Sequence, residues 1–412
     1  MGAVFMVIKV SKDNIFSSIR HIAIYLLLLM CSGFYVYTQG YRIPVTVVVS
    51  LICFCYSGFS INIRVLGSLF AMILISMLSG AVNNDSTQLI VETCADIVSA
   101  ALIAFGAVKE KQKAQFLNAY RRVILLIALF STVVYIVGAA ANDAFSVFPL
   151  VSQNEHDAYF VGFSFVYKMR EYLQYRNLGL FWEPGAFQTY ILLAMILEDA
   201  MPSRHPIRNL AILSVAMLTT ASTTGILCLA LFWLVYVLKR EKKSSSFIVA
   251  LLLLSGGIVV VMYPELLPEE LRFGLVYKVN DVFGGSAELE TTQTRLDSIR
   301  YPLNAFLENP LLGIGRGGML SWSDITGHKM NTCTPINWFA HYGVIMGTII
   351  MFGFGRFFWR SKAKKWVGLA FFAIFLISIS TEAFNYNPTL LCLAFMGIGE
   401  TTRQNDYPEV LA

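Results

Sequence analysis

Apolar residues in this chain come in long runs, not in strict alternation. Runs near the roughly 20 residues that a helix needs to cross a hydrocarbon core recur about twelve times. They lie near 22–38, 43–60, 63–82, 87–108, 122–141, 185–201, 207–221, 223–238, 246–263, 332–355, 365–381 and 384–400. The pattern predicts an all-α polytopic integral membrane protein with about twelve transmembrane helices. The pair meeting at Ser222–Gly225 has a second reading, as one long broken helix, which would invert everything after it.

The polar positions between the runs set the expected orientation. Lys and Arg favour the cytoplasmic side of short loops. With twelve spans and both termini cytoplasmic, 21 of the 31 basic residues fall on the cytoplasmic side. Two polar stretches, about 142–184 and 264–331, then become extracytoplasmic loops, and both are too long to be plain connectors. The first contains the aromatic-rich stretch Tyr159–Tyr175, expected as an amphipathic helix on the membrane surface. The second contains a helical stretch, Gln293–Leu307, then Asn309-Pro310 and a glycine-rich turn, Gly313–Gly318. No internal repeat or low-complexity linker stands out. Residues 1–412 read as a single membrane domain with an outward-facing cap.

Composition agrees. The chain is 56% apolar and 14% charged, against about 25% charged in soluble domains, and its mean hydropathy is +0.63. Aromatics reach 14%, which suits interfacial belts and a stacking surface for sugar or lipid. A net charge of +5 gives no reason to expect a nucleic-acid partner. Six of the seven cysteines lie inside apolar runs, and no CxxC pair or Cys/His cluster occurs. Neither a disulfide framework nor a zinc site is therefore expected. The first run starts at about Ile22 with no small-residue cleavage site after it, so it is expected to remain as a span.

The segment from Arg176 to Phe187 concentrates the candidate chemistry. It sets Arg176 and Glu183 just ahead of an apolar run. Guanidinium grips phosphate oxygens in a two-pronged way that lysine cannot, and a carboxylate beside it can accept a proton. The bland alternative is a salt bridge pinning loop to helix, with Pro184 as a helix-starting residue. Arg295 and Arg300 are further phosphate-binding candidates. Five residues apart on one helix, they differ by about 140°, so they do not share a face, and each can equally be a solvated loop charge. His328, just before the tenth run, is a candidate acid or base, although a lone loop histidine is commonly structural. His341 is expected to pack between helices.

Glu92 and Asp96, four apart in the fourth run, share a face. Acids inside a span are default functional candidates. They suit a proton path, a pairing with a loop arginine, or a neutral hydrogen-bonded state, and Glu382 raises the same question. The Gly313–Gly318 turn follows no strand and precedes no P-loop lysine, so a nucleotide site is not expected. No GxSxG elbow and no DxD-like motif in an outer loop occurs, so the reaction expected is metal-independent and needs no cofactor.

Three of these segments resemble the O-antigen polymerase and O-antigen ligase superfamily of bacterial cell envelopes. They are Arg176-Asn-Leu-Gly-Leu-Phe-Trp-Glu-Pro-Gly, Thr294-Arg-Leu-Asp-Ser-Ile-Arg with Phe306-Leu-Glu-Asn-Pro-Leu-Leu-Gly-Ile-Gly, and His328–Gly347. One departure is that the family's His-Asn pair is separated here, as His328-Lys-Met-Asn331. The resemblance implies a GT-C-like, all-helical glycosyltransferase in the bacterial inner membrane, with its active site facing the periplasm. It implies an undecaprenyl-diphosphate-linked oligosaccharide as donor, gripped by Arg176 and Arg295, and transfer of the glycan, with inversion, to a sugar hydroxyl of another lipid-linked repeat. Glu183 or His328 would deprotonate or orient that hydroxyl. A chain-length regulator protein is an expected partner. A ligase handing the same glycan to a lipid A core is the alternative within the superfamily. A secondary transporter is the alternative outside it, though inverted repeats are absent.

Overall fold

The computed structural model describes residues 12–34, 40–56, 59–140, 147–154, 157–162, 165–169, 176–239, 289–326, 332–360 and 364–400. In chain order these form α1 (Lys12–Met30), α2 (Arg42–Tyr56), α3 (Ile63–Val82), α4 (Thr87–Phe105) and α5 (Glu110–Ala140). Strands β1 (Leu150–Asn154), β2 (Asp157–Val161) and β3 (Val166–Met169) follow. Then come α6 (Pro184–Ala200), α7 (Pro206–Thr219), α8 (Thr223–Leu238), α9 (Leu289–Glu308) and α10 (Gly315–Thr326). The last three are α11 (Thr334–Arg360), α12 (Lys365–Ile379) and α13 (Pro388–Gly399). Each expected apolar run except 246–263 has a helix over the greater part of it, and 246–263 is outside the described residues.

Among the described residues, α3, α4, α5 and α11 are long and apolar enough to cross a bilayer. α3 exposes Phe70, Leu74 and Met77, and α5 exposes Phe130, Val133 and Ile136. Such faces suit hydrocarbon rather than water. The arrangement is that of a mostly helical membrane protein carrying one small sheet, consistent with the all-α expectation for its spans. α6, from Pro184 to Glu198, and α13, from Pro388 to Ile398, are buried throughout and form the centre of the bundle.

Local chemistry sets where helices begin. Asn62, Ser86, Ser222 and Asn387 cap α3, α4, α8 and α13 by accepting backbone N–H bonds. Each side chain satisfies a donor that the first turn leaves open. Proline occupies the first turn of α6, α7 and α13, where its missing N–H costs nothing. The break at Thr220–Ser222 is a true turn, with Ala221 left-handed at φ 46°. The Trp233 indole N–H donates to Ser214 at 3.1 Å, so α7 and α8 lie side by side as two helices rather than one broken one.

Small residues let helices touch. α11 and α13 meet where a Cβ on Gly397 would collide with the Gly353 carbonyl, and one on Gly353 with the backbone of Ala394. Close approach through small residues is the usual basis of helix packing in lipid.

The stretch expected as a surface helix, Tyr159–Tyr175, is instead strand in its described part. β1, β2 and β3 form an antiparallel sheet in that order, with Phe160 opposite Leu150 on one side and Tyr167 on the other. Aromatic and β-branched residues fit a pleated sheet better than a helix, and Phe160 and Phe165 pack together against Val134 of α5. The expected helix over Gln293–Leu307 is present within α9. The glycine-rich turn is shorter than expected, because α10 already starts at Gly315.

α11 is broken at Tyr342 and at Gly343, whose φ is 77°. Backbone groups freed inside a membrane need partners. The loop after α9 supplies them. Ile314 N–H donates to Ala340 O at 2.9 Å, and Val344 N–H donates to Pro310 O at 2.8 Å. Ser79 of α3 donates to Leu312 O at 2.6 Å, and Asn83 donates to Gly313 O at 3.3 Å. Gly313 and Gly343 allow this docking, since a Cβ on either would strike the opposing backbone.

Two substitutions test the close helix contact. Gly397→Ala is expected to lower unfolding stability in detergent by about 1–3 kcal/mol, the usual cost of overpacking. Gly67→Ala in α3, where a Cβ meets nothing within 4 Å, should leave stability unchanged or slightly raised.

Candidate functional site

Charged groups collect at the two ends of the bundle. At one end Glu400, just after α13, receives Lys113, Arg64, Arg356 and Arg360. Nearby, Arg121 pairs with the fully buried Glu198 at 3.3 Å, and Lys239 pairs with Asp199. The opposite end carries the sheet, α9, α10, Arg176 and Glu183.

There α4 presents Glu92, Thr93 and Asp96. Arg42 grips Asp96 through both carboxylate oxygens, at 2.8, 3.1 and 3.1 Å. Arg316 pairs with Glu92 at 3.3 Å and donates to Thr93 at 3.4 Å. The Tyr342 hydroxyl, at the break in α11, also donates to Thr93 at 3.3 Å. The pairing of Glu92 with a loop arginine is one of the alternatives the sequence allowed. The Asp96 side chain is only 9% exposed, and an ion at that depth requires a partner.

Arg316 is itself held in place. The backbone N–H groups of Arg316 and Gly317 donate to the Asp85 carboxylate at 2.9 and 2.8 Å. Asp85 sits in the α3–α4 connection and neutralises the positive N-terminus of α10. Gly315, with φ 72°, and Gly317 lie against that carboxylate, where side chains would collide. The glycine-rich turn is therefore an anion cradle, and its anion is the protein's own Asp85.

The Arg176–Phe187 segment is woven between four elements. Arg176 donates to Thr220 O at 3.0 Å and to Ala221 O at 3.2 Å, which ties it to the α7–α8 turn. Asn177 binds Thr219 twice, through its backbone and its side chain. Gly179 O accepts from Val166 of β3 at 2.7 Å, and Trp182 N–H donates to Ser32 O after α1. Glu183 occupies the N-cap position of α6 without making a side-chain cap bond, and it is exposed.

The α12–α13 loop joins the two halves of this end. A Cβ on Gly185 would collide with the Glu382 carboxylate, so the glycine of Glu-Pro-Gly makes room for that buried acid. Phe384 meets Trp182 edge to face at 5.5 Å. On the other side, Thr334 donates to Glu382 O and accepts from Phe384 N–H. Tyr386 packs near Tyr342 and His341, with ring centroids 5.5 and 5.9 Å away.

Of the residues chosen from the sequence, Arg176 and Glu183 begin and end one ordered segment. Arg295 and Arg300 lie on α9, where Arg300 is exposed. The Arg295 side chain and all of His328 are outside the described residues. His341 packs between helices, as expected. Three residues of this site drew no attention in the sequence: Arg42, Arg316 and Asp85. Arg42 counted only as an outer-side charge and Arg316 only as part of a turn. The available signal was an arginine flanked on both sides by glycines, where backbone must approach an anion.

Residues 209–332 match the family model described as O-Antigen ligase. This range runs from α7 through α10, including the glycine-rich cradle. The match supports the O-antigen ligase and polymerase superfamily. Searches of curated proteins and of solved structures found no match.

Removing Arg42 should strand Asp96. Arg42→Ala is expected to cost about 3 kcal/mol of stability, the scale for one orphaned member of a buried pair. Arg42→Ala with Asp96→Ala should cost clearly less than the single variant. Unfolding in detergent measures both. A double-variant loss equal to the sum of the Arg42→Ala and Asp96→Ala single losses would show that the two groups are not coupled.

Proposed function

We propose that this protein is an O-antigen polymerase, a membrane glycosyltransferase acting on undecaprenyl-diphosphate-linked oligosaccharides. The observation that carries the reading is that Arg176, ordered against the α7–α8 turn, and α9, which bears Arg295 and Arg300 and docks on the broken α11, belong to the same end of the bundle as the α10 turn. The superfamily match over residues 209–332 covers α9 and that turn.

The basic residues around Glu400 and Glu198 support the orientation. Lys and Arg concentrate on the cytoplasmic side, which puts Arg64, Lys113, Lys239 and Arg356 in the cytoplasm and the Arg176 end in the periplasm. One twelve-span domain in the bacterial inner membrane, with both termini cytoplasmic, fits this distribution.

In the proposed reaction a sugar hydroxyl of one lipid-linked repeat attacks the anomeric carbon of another glycan. The new glycosidic bond forms as the bond to the diphosphate oxygen breaks. Undecaprenyl diphosphate leaves with the electron pair, and the configuration inverts. Arg176, Arg295 and Arg300 hold the diphosphate and stabilise its growing charge. The exposed Glu183 carboxylate takes the hydroxyl proton, and His328 is the second candidate for that role. A chain-length regulator is the protein partner this activity calls for. A ligase would use the same donor with a lipid A core as acceptor. The transporter reading gains nothing from Asp96, which Arg42 already engages on both oxygens.

Membranes containing the protein, mixed with lipid-diphosphate repeat units, should yield a ladder of longer glycans on gels. Arg176→Ala and Arg295→Ala should each slow elongation by about 100-fold or more, the scale of losing one stabilising donor. Normal ladders from both variants would refute the diphosphate grip. Transfer only to lipid A core, with no ladder, would identify a ligase. Glu183→Gln should slow elongation by about 100-fold while leaving donor binding intact. A weakened donor affinity instead would assign Glu183 to binding.

A further inference from the structure

Helix α9 is inside out for a helix washed by water. It buries Ser298, Pro302 and Ala305 and exposes Leu296, Ile299, Leu303 and Leu307. Leu296, Leu303 and Leu307 fall within about 40° of one another around the axis, and Leu307 is 64% exposed. Leu311, just beyond the helix, continues the row at 68% exposed. The adjoining row, Arg300, Asn304 and Glu308, is exposed and polar. The exposed face is thus split lengthwise into an apolar strip and a polar strip, the pattern of a helix seated in a bilayer surface. The phosphate grip proposed for α9 uses its arginines and leaves the leucine row unexplained.

Two spans set the height of α9 against the membrane. Arg64 to Asn83, along α3 and its cap, rises about 28 Å, and Gly343 to Arg360, along α11, rises about 26 Å. Both lengths match a hydrocarbon core of about 30 Å. Asn83 and Gly343 therefore mark one edge of that core. The loop that leaves α9 is fastened at this edge, with Asn83 donating to Gly313 O at 3.3 Å and Val344 N–H to Pro310 O at 2.8 Å. The opposite side of α9 packs on the bundle. Ala305 clusters with Ala340 of α11, and Phe306 meets Phe339 edge to face at 5.4 Å. The leucine row is thus turned away from α11, and an outward face at this height meets lipid rather than water.

We infer that α9 is seated in the bilayer surface, with Leu303, Leu307 and Leu311 at the edge of the hydrocarbon and the Arg300, Asn304 and Glu308 row among the headgroups. The leucines leave water for acyl chains, which favours this seating. Arg300, at the border of the two strips, stands at the level of the lipid phosphates, where a guanidinium is well placed. The surface lipid thereby braces the segment that carries the α10 turn. This seating follows from the two strips and the height of the helix, so it stands whether or not the chain is a polymerase.

Photocrosslinking of the full chain in vesicles of phosphatidylethanolamine and phosphatidylglycerol tests the inference. A photoreactive benzoylphenylalanine replaces Leu303, Asn304, Leu307 or Glu308 in turn, and the adducts are mapped by mass spectrometry. Each leucine has its control one residue away, about 100° around the helix. The two leucine positions should give at least about fivefold more acyl-chain adduct than Asn304 and Glu308. Equal acyl-chain labelling at all four positions would overturn the inference. So would adducts at Leu303 and Leu307 formed chiefly with residues 240–288 or with a second copy of the chain. Should a substituted chain fail to fold, the parent chain gives a second readout. Hydroxyl radicals generated in the water should oxidise Leu303 and Leu307 at least about fivefold more slowly in vesicles than in the chain unfolded by denaturant. Oxidation of both at the unfolded rate would overturn the seating without any substitution.

Discussion

A broken helix governs the architecture of the loop-bearing end. Gly343 ends the first half of α11 in a left-handed conformation, leaving backbone groups that hydrocarbon cannot satisfy. The Pro310–Ile314 loop fills the gap with two backbone hydrogen bonds, and α3 clamps that loop through Ser79 and Asn83. The stretch that precedes α11 in sequence is thereby fixed to the bundle. The same docking carries Arg316 to Glu92 and brings the N-terminus of α10 onto Asp85. Without the break, α9 and α10 would have no rigid attachment at this point.

The ion pairs follow from that attachment. Glu92 and Asp96 would be costly inside a span, and each is met by an arginine from another element. These pairs orient α2, α4 and α10 relative to one another rather than drive folding, because desolvation offsets most of the attraction between buried ions. Orientation matters at this end, since any grip on a diphosphate depends on guanidinium groups held at fixed positions. The α12–α13 loop extends the order to the Arg176–Phe187 segment, through Glu382 against Gly185 and Phe384 against Trp182.

Much of the fold is legible in the sequence because each helix is announced by its own run of residues. Caps such as Ser86, Ser222 and Asn387, and prolines such as Pro184, act within a few positions. The helix over Gln293–Leu307 is legible for the same reason. What escapes is what distant residues decide. The strands β2 and β3 share their aromatic content with an amphipathic helix, and only packing against α5 separates the two. Arg42 and Asp96 lie 54 residues apart, and Arg316 and Thr93 lie 223 apart, so neither contact has a local signature. Two segments that resemble the family, Phe306–Gly315 and His328–Gly347, stand out separately in the sequence. That the first plugs a break in the second is visible only in three dimensions.

The central claim is that the lipid diphosphate is held at the end carrying Arg176, α9 and α10. Photocrosslinking with undecaprenyl diphosphate bearing a reactive group next to its phosphates, followed by peptide mapping, tests it most directly. The account predicts labels within residues 176–187 and 289–326. Labels confined to the Arg64, Arg356 and Glu400 end would contradict it.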